Sequence, residues 1–294
     1  MPSPCRADPG PRDTLPGCLF VVATPIGNLD DITIRALEVL GAVTVVAAED
    51  TRHTARLLAR HKIQARLVSY HEHNEQERAA LLLKRLLAGD SVALVSDAGT
   101  PGVSDPGYRL VRAAVENGVP VHPVPGASAP IAALSASGLP TDSFVFLGFP
   151  PRRKGRRIRL LRELVQEPRT LIWYESARRV AAFIGELLEA WGDREAVLAR
   201  EMTKLHEEFL RARLSEIACQ MEARGDLRGE ITLLIAGREA DPEIPAGQLE
   251  EAIAQHLEDG PPNLKELSRL LARRFGRPRR EVYQRIVEAL DRGP

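Results

Sequence analysis

Three cysteines in 294 residues, Cys5, Cys18 and Cys219, form no CxxC pair and no Cys/His spacing suited to a structural zinc ion. A disulfide scaffold and a zinc module are thereby excluded, and reduced thiols are expected. No apolar run approaches the ~20 residues needed to cross a bilayer, so no membrane partner is expected. The first seventeen residues, MPSPCRADPGPRDTLPG, alternate Pro, Gly and charge without the hydrophobic stretch of a signal peptide. They read as a disordered tail on a cytoplasmic protein. Net charge is also absent, with 40 Lys+Arg against 40 Asp+Glu, so only local patches can argue for a nucleic-acid partner. There is no repeat at a fixed period, and the Gly and Pro residues punctuate apolar segments rather than forming low-complexity tracts.

What remains is an ordinary globular composition, 44% hydrophobic and 27% charged, long enough for about two domains of roughly 150 residues each. From Leu19 onward, short apolar runs alternate with helical patterns: LFVVA (19–23), VTVVAA (43–48), RLVSY (66–70), SVALVS (91–96) and PVHPV (120–124). Continuous apolar strands between helices signal a parallel sheet covered on both faces. This first α/β domain is expected over 18–139. A second α/β domain with mixed strands is expected over 140–240, from FVFLGF (144–149), RTLIWY (169–174), EAVLAR (195–200), a strand near 206–211 and GEITLLIAG (229–237). After a Pro-rich acidic linker, a small basic helical module is expected over 245–294, with helices at 248–258, 264–274 and 278–291. Nine basic residues face four acidic ones between 261 and 294.

The most informative segment is SDAGTPGVSDPG (96–107), directly after an apolar strand. Small residues let backbone groups approach a ligand, and Asp97 can accept from an amine or hydroxyl. A phosphate is the competing ligand, but GxGxxG and GxxxxGK[ST] are both absent, and Asp97 and Asp105 would repel it. A long tight turn is the plain structural alternative. ATPIGNLDD (23–31) and PGASAP (125–130) also end strands, placing three loops along one sheet edge, where open α/β proteins bind ligands. WYES (173–176) and GEIT (229–232) can close such a cleft from the second domain. AEDTRH (48–53) and YHEHNE (70–75) offer Asp50, His71 and Glu75 as proton acceptors, although Asp50 and Glu75 equally suit helix N-termini. These residues contain no HExxH, and no metal is expected. PRRKGRRIR (151–159) packs six basic side chains with no acid, either a solvated loop or a contact for a phosphate backbone.

Taken in order, VATPIGNLDDIT (22–33), AEDTR, HEHNE, SDAGTPGVSDPG, PGAS, FLGFPPR (146–152), WYES, AREMTKLHEE (199–208) and GEITLLI (229–235) resemble the bacterial ribosomal RNA small-subunit methyltransferase I family. The resemblance runs over about 18–291. It implies two α/β domains of the tetrapyrrole methylase type, that is, class III S-adenosylmethionine (AdoMet) methyltransferases, with a helix-turn-helix-like C-terminal module. It also implies a homodimer and AdoMet-dependent 2′-O-methylation of a cytidine ribose in the decoding centre of 16S rRNA, within the small ribosomal subunit. By position it assigns Pro25, Ile26, Asp97, Ala98, Thr100, Ser128, Ala129, Tyr174, Arg200, Glu201, Gly229 and Thr232 to the cofactor. Candidates for orienting and deprotonating the ribose hydroxyl are Asp50, His71, Glu75 and Glu201, with Lys204 or Arg52 stabilising the alkoxide. Candidate RNA contacts are Arg152, Arg153, Lys154, Arg156 and Arg157 in the first basic run, and Arg273, Arg274, Arg279 and Arg280 in the last. WYES and AREMTK stand where many relatives have FYES and ARELTK, exchanges that conserve volume and apolarity. Two alternatives stay open: methylation of a tetrapyrrole, for which the basic segments have no use, and a nucleic-acid-binding protein in which the α/β part is only a scaffold.

Overall fold

A computed structural model describes residues 17–225, 228–238, 247–258, 263–275 and 279–292. The N-terminal tail expected over 1–17 lies, except for Gly17, outside the described residues. Five parallel strands form the first sheet: β1 (Leu19–Val22), β2 (Val45–Ala48), β3 (Leu67–Ser69), β4 (Val92–Val95) and β5 (Val121–Val124). Their order is β3-β2-β4-β1-β5. Helices α1 (Ile34–Ala42) and α2 (Thr51–Arg60) cover one face, and α3 (Glu75–Leu87) and α4 (Tyr108–Glu116) cover the other. Because both faces are covered, all four residues of β2 and of β4 are buried, which is why these strands read as unbroken apolar runs. Pro123 is tolerated because β5 is an edge strand.

Strand order fixes where a ligand can sit. β1 continues through α1 to β2, on one side of the β1–β4 pair, whereas β4 continues through α4 to β5 on the other side. The crevice at such a switch point opens at the carboxyl ends of the two strands. Thr24 and Gly99 bridge the two loops there, with Thr24 N–H donating to Gly99 O at 2.8 Å and Gly99 N–H returning to Thr24 O at 3.0 Å.

After α5 (Ala129–Ser135) comes the second sheet: β6 (Phe144–Gly148), β7 (Thr170–Ser176), β8 (Glu195–Arg200), β9 (Glu208–Arg213) and β10 (Glu230–Ile235). Its order is β6-β7-β10-β8-β9, with only the β6–β7 pair parallel. One face packs on α6 (Lys154–Leu164), α7 (Ala177–Trp191) and α8 (Leu214–Arg224) around the fully buried Trp173. The Trp173 and Phe183 rings meet edge to face at 5.3 Å. The other face packs Ile172, Val197 and Leu234 against Ala133 and Leu134 of α5 and Ile26 of the first lobe, so the two sheets share a core.

Helix α6 was not legible as a helix in the arginine-rich run, which reads as a loop by composition. Leu161 and Leu164 nonetheless recur at helical spacing and pack onto the core, Leu161 being fully buried. The helix is fastened to α7 by Trp191 Nε1–H donating to Leu161 O at 2.7 Å and by a two-armed ion pair between Arg157 and Glu186 at 2.5 and 2.6 Å. The Arg157 guanidinium holds the Glu186 carboxyl below the ordinary range.

A second compact unit spans Arg238–Pro294. Helices α9 (Gln248–Glu258), α10 (Leu264–Arg274) and α11 (Arg279–Arg292) surround a small core of Ile253, Leu267, Leu271, Phe275, Val282 and Ile286. Asn263 caps α10 by accepting the Lys265 N–H. No helix among the described residues is long and apolar enough to cross a membrane.

Candidate functional site

At the switch point the two lobes enclose a cavity of about 370 Å³, within the roughly 300–1,000 Å³ usual for small-molecule and cofactor sites. The first lobe contributes Ile26 from the β1 loop, Ala98, Thr100 and Asp105 from the β4 loop, and Ser128 and Ala129 at the start of α5. The second contributes Phe149 at the end of β6, Tyr174 and Glu175 on β7, Met202 after β8, and Gly229 to Ile231 at the start of β10. β10 runs antiparallel to β7, so its beginning lies beside the end of β7, with Thr232 opposite Tyr174.

The loops are tied to one another by hydrogen bonds within the protein. Thr24 donates its hydroxyl to Ser96 O at 3.0 Å, and Thr100 donates to Ala127 O at 3.3 Å. Asn28 N–H donates to Thr203 Oγ1 at 2.9 Å, joining the first lobe to the β8–β9 loop. That loop holds two non-glycine residues in the left-handed region, Glu201 (φ 49°) and Thr203 (φ 64°), and strain of this kind persists only where surrounding contacts over-determine it.

Of the residues assigned to the cofactor, Ile26, Ala98, Thr100, Ser128, Ala129, Tyr174 and Gly229 line the cavity. Pro25 and Thr232 are buried behind it. Asp97 is turned toward α2, accepting the Asp50 N–H at 2.9 Å while its own N–H donates to Glu49 at 3.2 Å. Arg200 donates to Arg228 O and pairs with Glu208 at 3.7 Å. Phe149, Met202 and Asp105 are among the lining residues outside the set that sequence reasoning assigned to the cofactor, together with Gly99, Val103, Glu175, Ser176, Glu230 and Ile231. Asp105 belongs to the SDAGTPGVSDPG segment, but a position in a loop gives no direction for a side chain.

The proton-acceptor candidates are placed differently. Asp50 caps α2 and grips Arg52, which holds its carboxyl far below the usual range. The Glu75 carboxylate pairs with Arg109 across α3 and α4 at 2.8 Å. His71 sits in the turn before α3, its Nε2 3.1 Å from Asn74 Nδ2. Glu201 and Lys204 reach the rim through Glu230: Lys204 Nζ donates to Glu201 at 3.0 Å and to Glu230 at 2.9 Å, and Glu201 also accepts the Glu230 N–H at 2.9 Å. Burial opposes both charges, but these partners outweigh it, keeping Glu201 ionised and Lys204 protonated.

Three carboxylates line the cavity, and two of them are paired with cations. Glu175 accepts from Arg179 at 2.7 Å and from Ser176 N–H at 2.7 Å, and Glu230 is held by Lys204. Asp105 has no cation beside it among the described residues, only a hydrogen bond from Ser96. Burial, reinforced by the neighbouring Glu49 charge and by Asp97 and Glu230, pushes its carboxyl up to about 7. Burial likewise raises Tyr174, with Asp105 and Glu230 adding to the effect, so its phenol stays protonated.

In the basic run, Arg152, Arg153, Lys154 and Arg156 are exposed, whereas Arg157 is consumed by Glu186 and by Pro151 O. In the C-terminal module Arg280 is exposed, and Arg274 is exposed and lies over the Phe275 ring. Arg279 donates to Lys265 O and to Ser268. The Arg273 side chain lies outside the described residues.

An apolar chamber edged by carboxylates suits a flat, partly apolar ligand that carries positive charge, and AdoMet fits that description. The donor set does not suit a phosphate.

Residues 18–218 match the family model described as tetrapyrrole (corrin/porphyrin) methylases. A ribosomal RNA small subunit methyltransferase I of Micromonospora olivasterospora is 48% identical over 284 residues, covering 95% of this chain and 89% of that protein. A protein of the same name from Thermotoga maritima is 48% identical over 223 residues, which is 100% of its own length and 76% of this chain. Among solved structures, uroporphyrin-III C-methyltransferase from Thermus thermophilus, complexed with S-adenyl homocysteine, has a TM-score of 0.54 and 25% identity, covering 75% of this chain and 97% of that one.

Proposed function

Since the chain belongs to the tetrapyrrole methylases and, within them, to the ribosomal RNA small subunit methyltransferase I family, we propose that it methylates the ribose 2′-oxygen of a cytidine in the decoding centre of 16S rRNA, using AdoMet. At the coarser level the chain is an AdoMet-dependent rRNA methyltransferase. The observation that carries the finer reading is the Asp105 carboxylate, left without a cation among the described residues in a cavity whose other acids are paired, because a ribose hydroxyl is un-ionised at neutral pH and must lose its proton to a base at the reacting centre.

AdoMet, when bound, supplies an electrophilic methyl group on a sulfonium. Ile26, Ala98, Ala129 and Met202 offer its apolar parts a dry surface, and Glu230, steadied by Lys204, offers negative charge. Asp105 takes the hydroxyl proton. Holding the 2′-oxygen in line is the larger share of the work, since positioning alone can supply several kcal/mol of the barrier, roughly 7–11 in the best intramolecular cases. Asp50, His71 and Glu75 then act as scaffolding: Asp50 and Glu75 start helices behind the cavity, and His71 shapes the turn before α3.

The substrate within this reading is the small ribosomal subunit, met by a cytoplasmic homodimer. Arg152, Arg153, Lys154 and Arg156 receive phosphates beside the cavity, and the C-terminal module adds a second basic contact. The α/β part suffices for the chemistry in this reading, in keeping with a relative whose whole length aligns with three quarters of this chain.

The test is transfer of a labelled methyl group from AdoMet to small subunits from a strain lacking the activity, with the product mapped by nuclease digestion and mass spectrometry. Label in one ribose-methylated cytidine is expected. Label on a base, or AdoMet binding without any transfer to subunits or free rRNA, would reject the 2′-O reading. A chain ending at Gly237 should still bind AdoMet, while its affinity for subunits falls and the salt dependence flattens by about one unit of slope for each phosphate no longer neutralised. An unchanged slope would remove the module from RNA binding.

A further inference from the structure

We propose that Phe149 is the stacking platform for the nucleobase of the target nucleotide, holding that base outside the RNA stack while its ribose enters the cavity. The inference rests on the RNA-methylating reading above.

Phe149 is placed by a break in its own strand. The β6–β7 register shifts between Phe146 and Gly148, and Gly148 adopts φ 62°, where a Cβ would come within 2.9 Å of Ser104 Oγ. Such irregularities re-aim the next side chain, and they recur beside active sites. Up to this point β6 directs Phe144 and Phe146 into the shared core. Beyond it Phe149 is 56% exposed while still lining the cavity. Its ring stands 5.4 Å from Tyr174, tilted by 56°, and Tyr174 is backed edge-on by Phe146 at 5.0 Å. Phe144 and Phe146, by contrast, are half-buried against that core. The Phe149 ring is instead braced from behind and bare in front.

The residues that follow supply the charge. Pro150 and Pro151 stiffen the chain, and then come Arg152, Arg153, Lys154 and Arg156, all exposed and in no ion pair among the described residues. α6 begins at Lys154 with no acid in its first turn and no side-chain cap. Cations at the positive end of a helix dipole work against the helix, and an external anion received there would offset them. A bare aromatic face with a cationic helix start beside it matches one nucleotide and its flanking phosphates. In folded RNA a ribose can reach a closed cavity only if its nucleotide leaves the stack, and unstacked bases are commonly received on aromatic rings. Phenylalanine has no donor or acceptor, so Phe149 sets position and leaves base identity to other groups.

The experiment compares full-length wild type with Phe149→Ala, Phe149→Leu and Phe149→Trp. It measures kcat and KM for unmethylated small subunits, the AdoMet Kd by calorimetry, and Tm. Loss of one base–aromatic stack should lower kcat/KM by roughly 5–150-fold in the Ala and Leu variants. The Trp variant should return to within about threefold of wild type, with Tm and AdoMet Kd unchanged throughout. A Leu variant as fast as wild type would reduce the role of Phe149 to apolar bulk and overturn the platform. An AdoMet Kd rising in step with the activity loss would assign the ring to the cofactor instead. Failure of the wild type to label rRNA at all would overturn the RNA reading, and the platform with it.

Discussion

Replacing Asp105 by Asn is expected to lower kcat by roughly 10²–10⁴-fold, the usual worth of a positioned general base, while making the protein more stable above pH 7. The two effects share one cause. Burial and the neighbouring Glu49 charge push the Asp105 carboxyl from 3.8 to about 7, so the folded protein holds this proton more tightly than the unfolded chain does. Folded-state proton uptake between about pH 4 and 7 means that stability falls as pH rises through that window. Asn keeps the shape and does not titrate, so the variant should melt higher than wild type at pH 8 and nearly level with it at pH 4. In wild type, kcat/KM should fall on the acid side as the carboxyl takes up its proton near pH 7, and in the variant that limb should vanish. Equal activity in the two proteins would remove Asp105 from the chemistry. A raised AdoMet Kd with unchanged kcat would make it a cofactor contact instead.

The second large effect is expected at Gly229, where Ala should cost about 2–4 kcal/mol of stability, from backbone strain and a displaced hydrogen-bond network. Gly229 has φ 115°, and a Cβ there would lie 2.7 Å from the Glu201 side chain. That side chain has no easy retreat, because Lys204 Nζ and the Glu230 N–H both hold it. Since Gly229, Glu230 and Ile231 also wall the cavity, AdoMet affinity should fall by at least about tenfold, a loss of ~1.4 kcal/mol in binding. Gly192→Ala serves as the control. Its φ is 75° with nothing within 4 Å of the added Cβ, so it carries the strain without the clash and should leave AdoMet binding unchanged. Matching Kd values for the Gly229 variant and wild type would show that the Glu201–Lys204–Glu230 network is irrelevant to the pocket.

Local order in the sequence was enough to read the α/β alternation, the position of nearly every strand, the three helices of the C-terminal module and the loops that line the cavity. Apolar runs of β2 and β4, the Asp50 cap of α2 and the Asn263 cap of α10 are properties of neighbouring residues, and their signals survive in one dimension. α6 was not legible because six basic residues in nine obscured the spacing of Leu161 and Leu164 that follows them. Which loop residues face the cavity was decided by the tertiary structure. Asp97 and Asp105 lie eight positions apart on one loop, yet the first turns to Asp50 and Glu49 while the second enters the cavity. Arg156 and Arg157 are adjacent, and only the first stays free of an internal ion pair among the described residues, because Glu186 comes from α7. Met202 and Phe149 join Ile26 only because β1 is inserted beside β4 and β10 between β7 and β8. Pairings between strands far apart in sequence leave no periodic trace along the chain. The sequence therefore determined the elements and the chemistry they carry, and long-range strand order determined which of those groups meet.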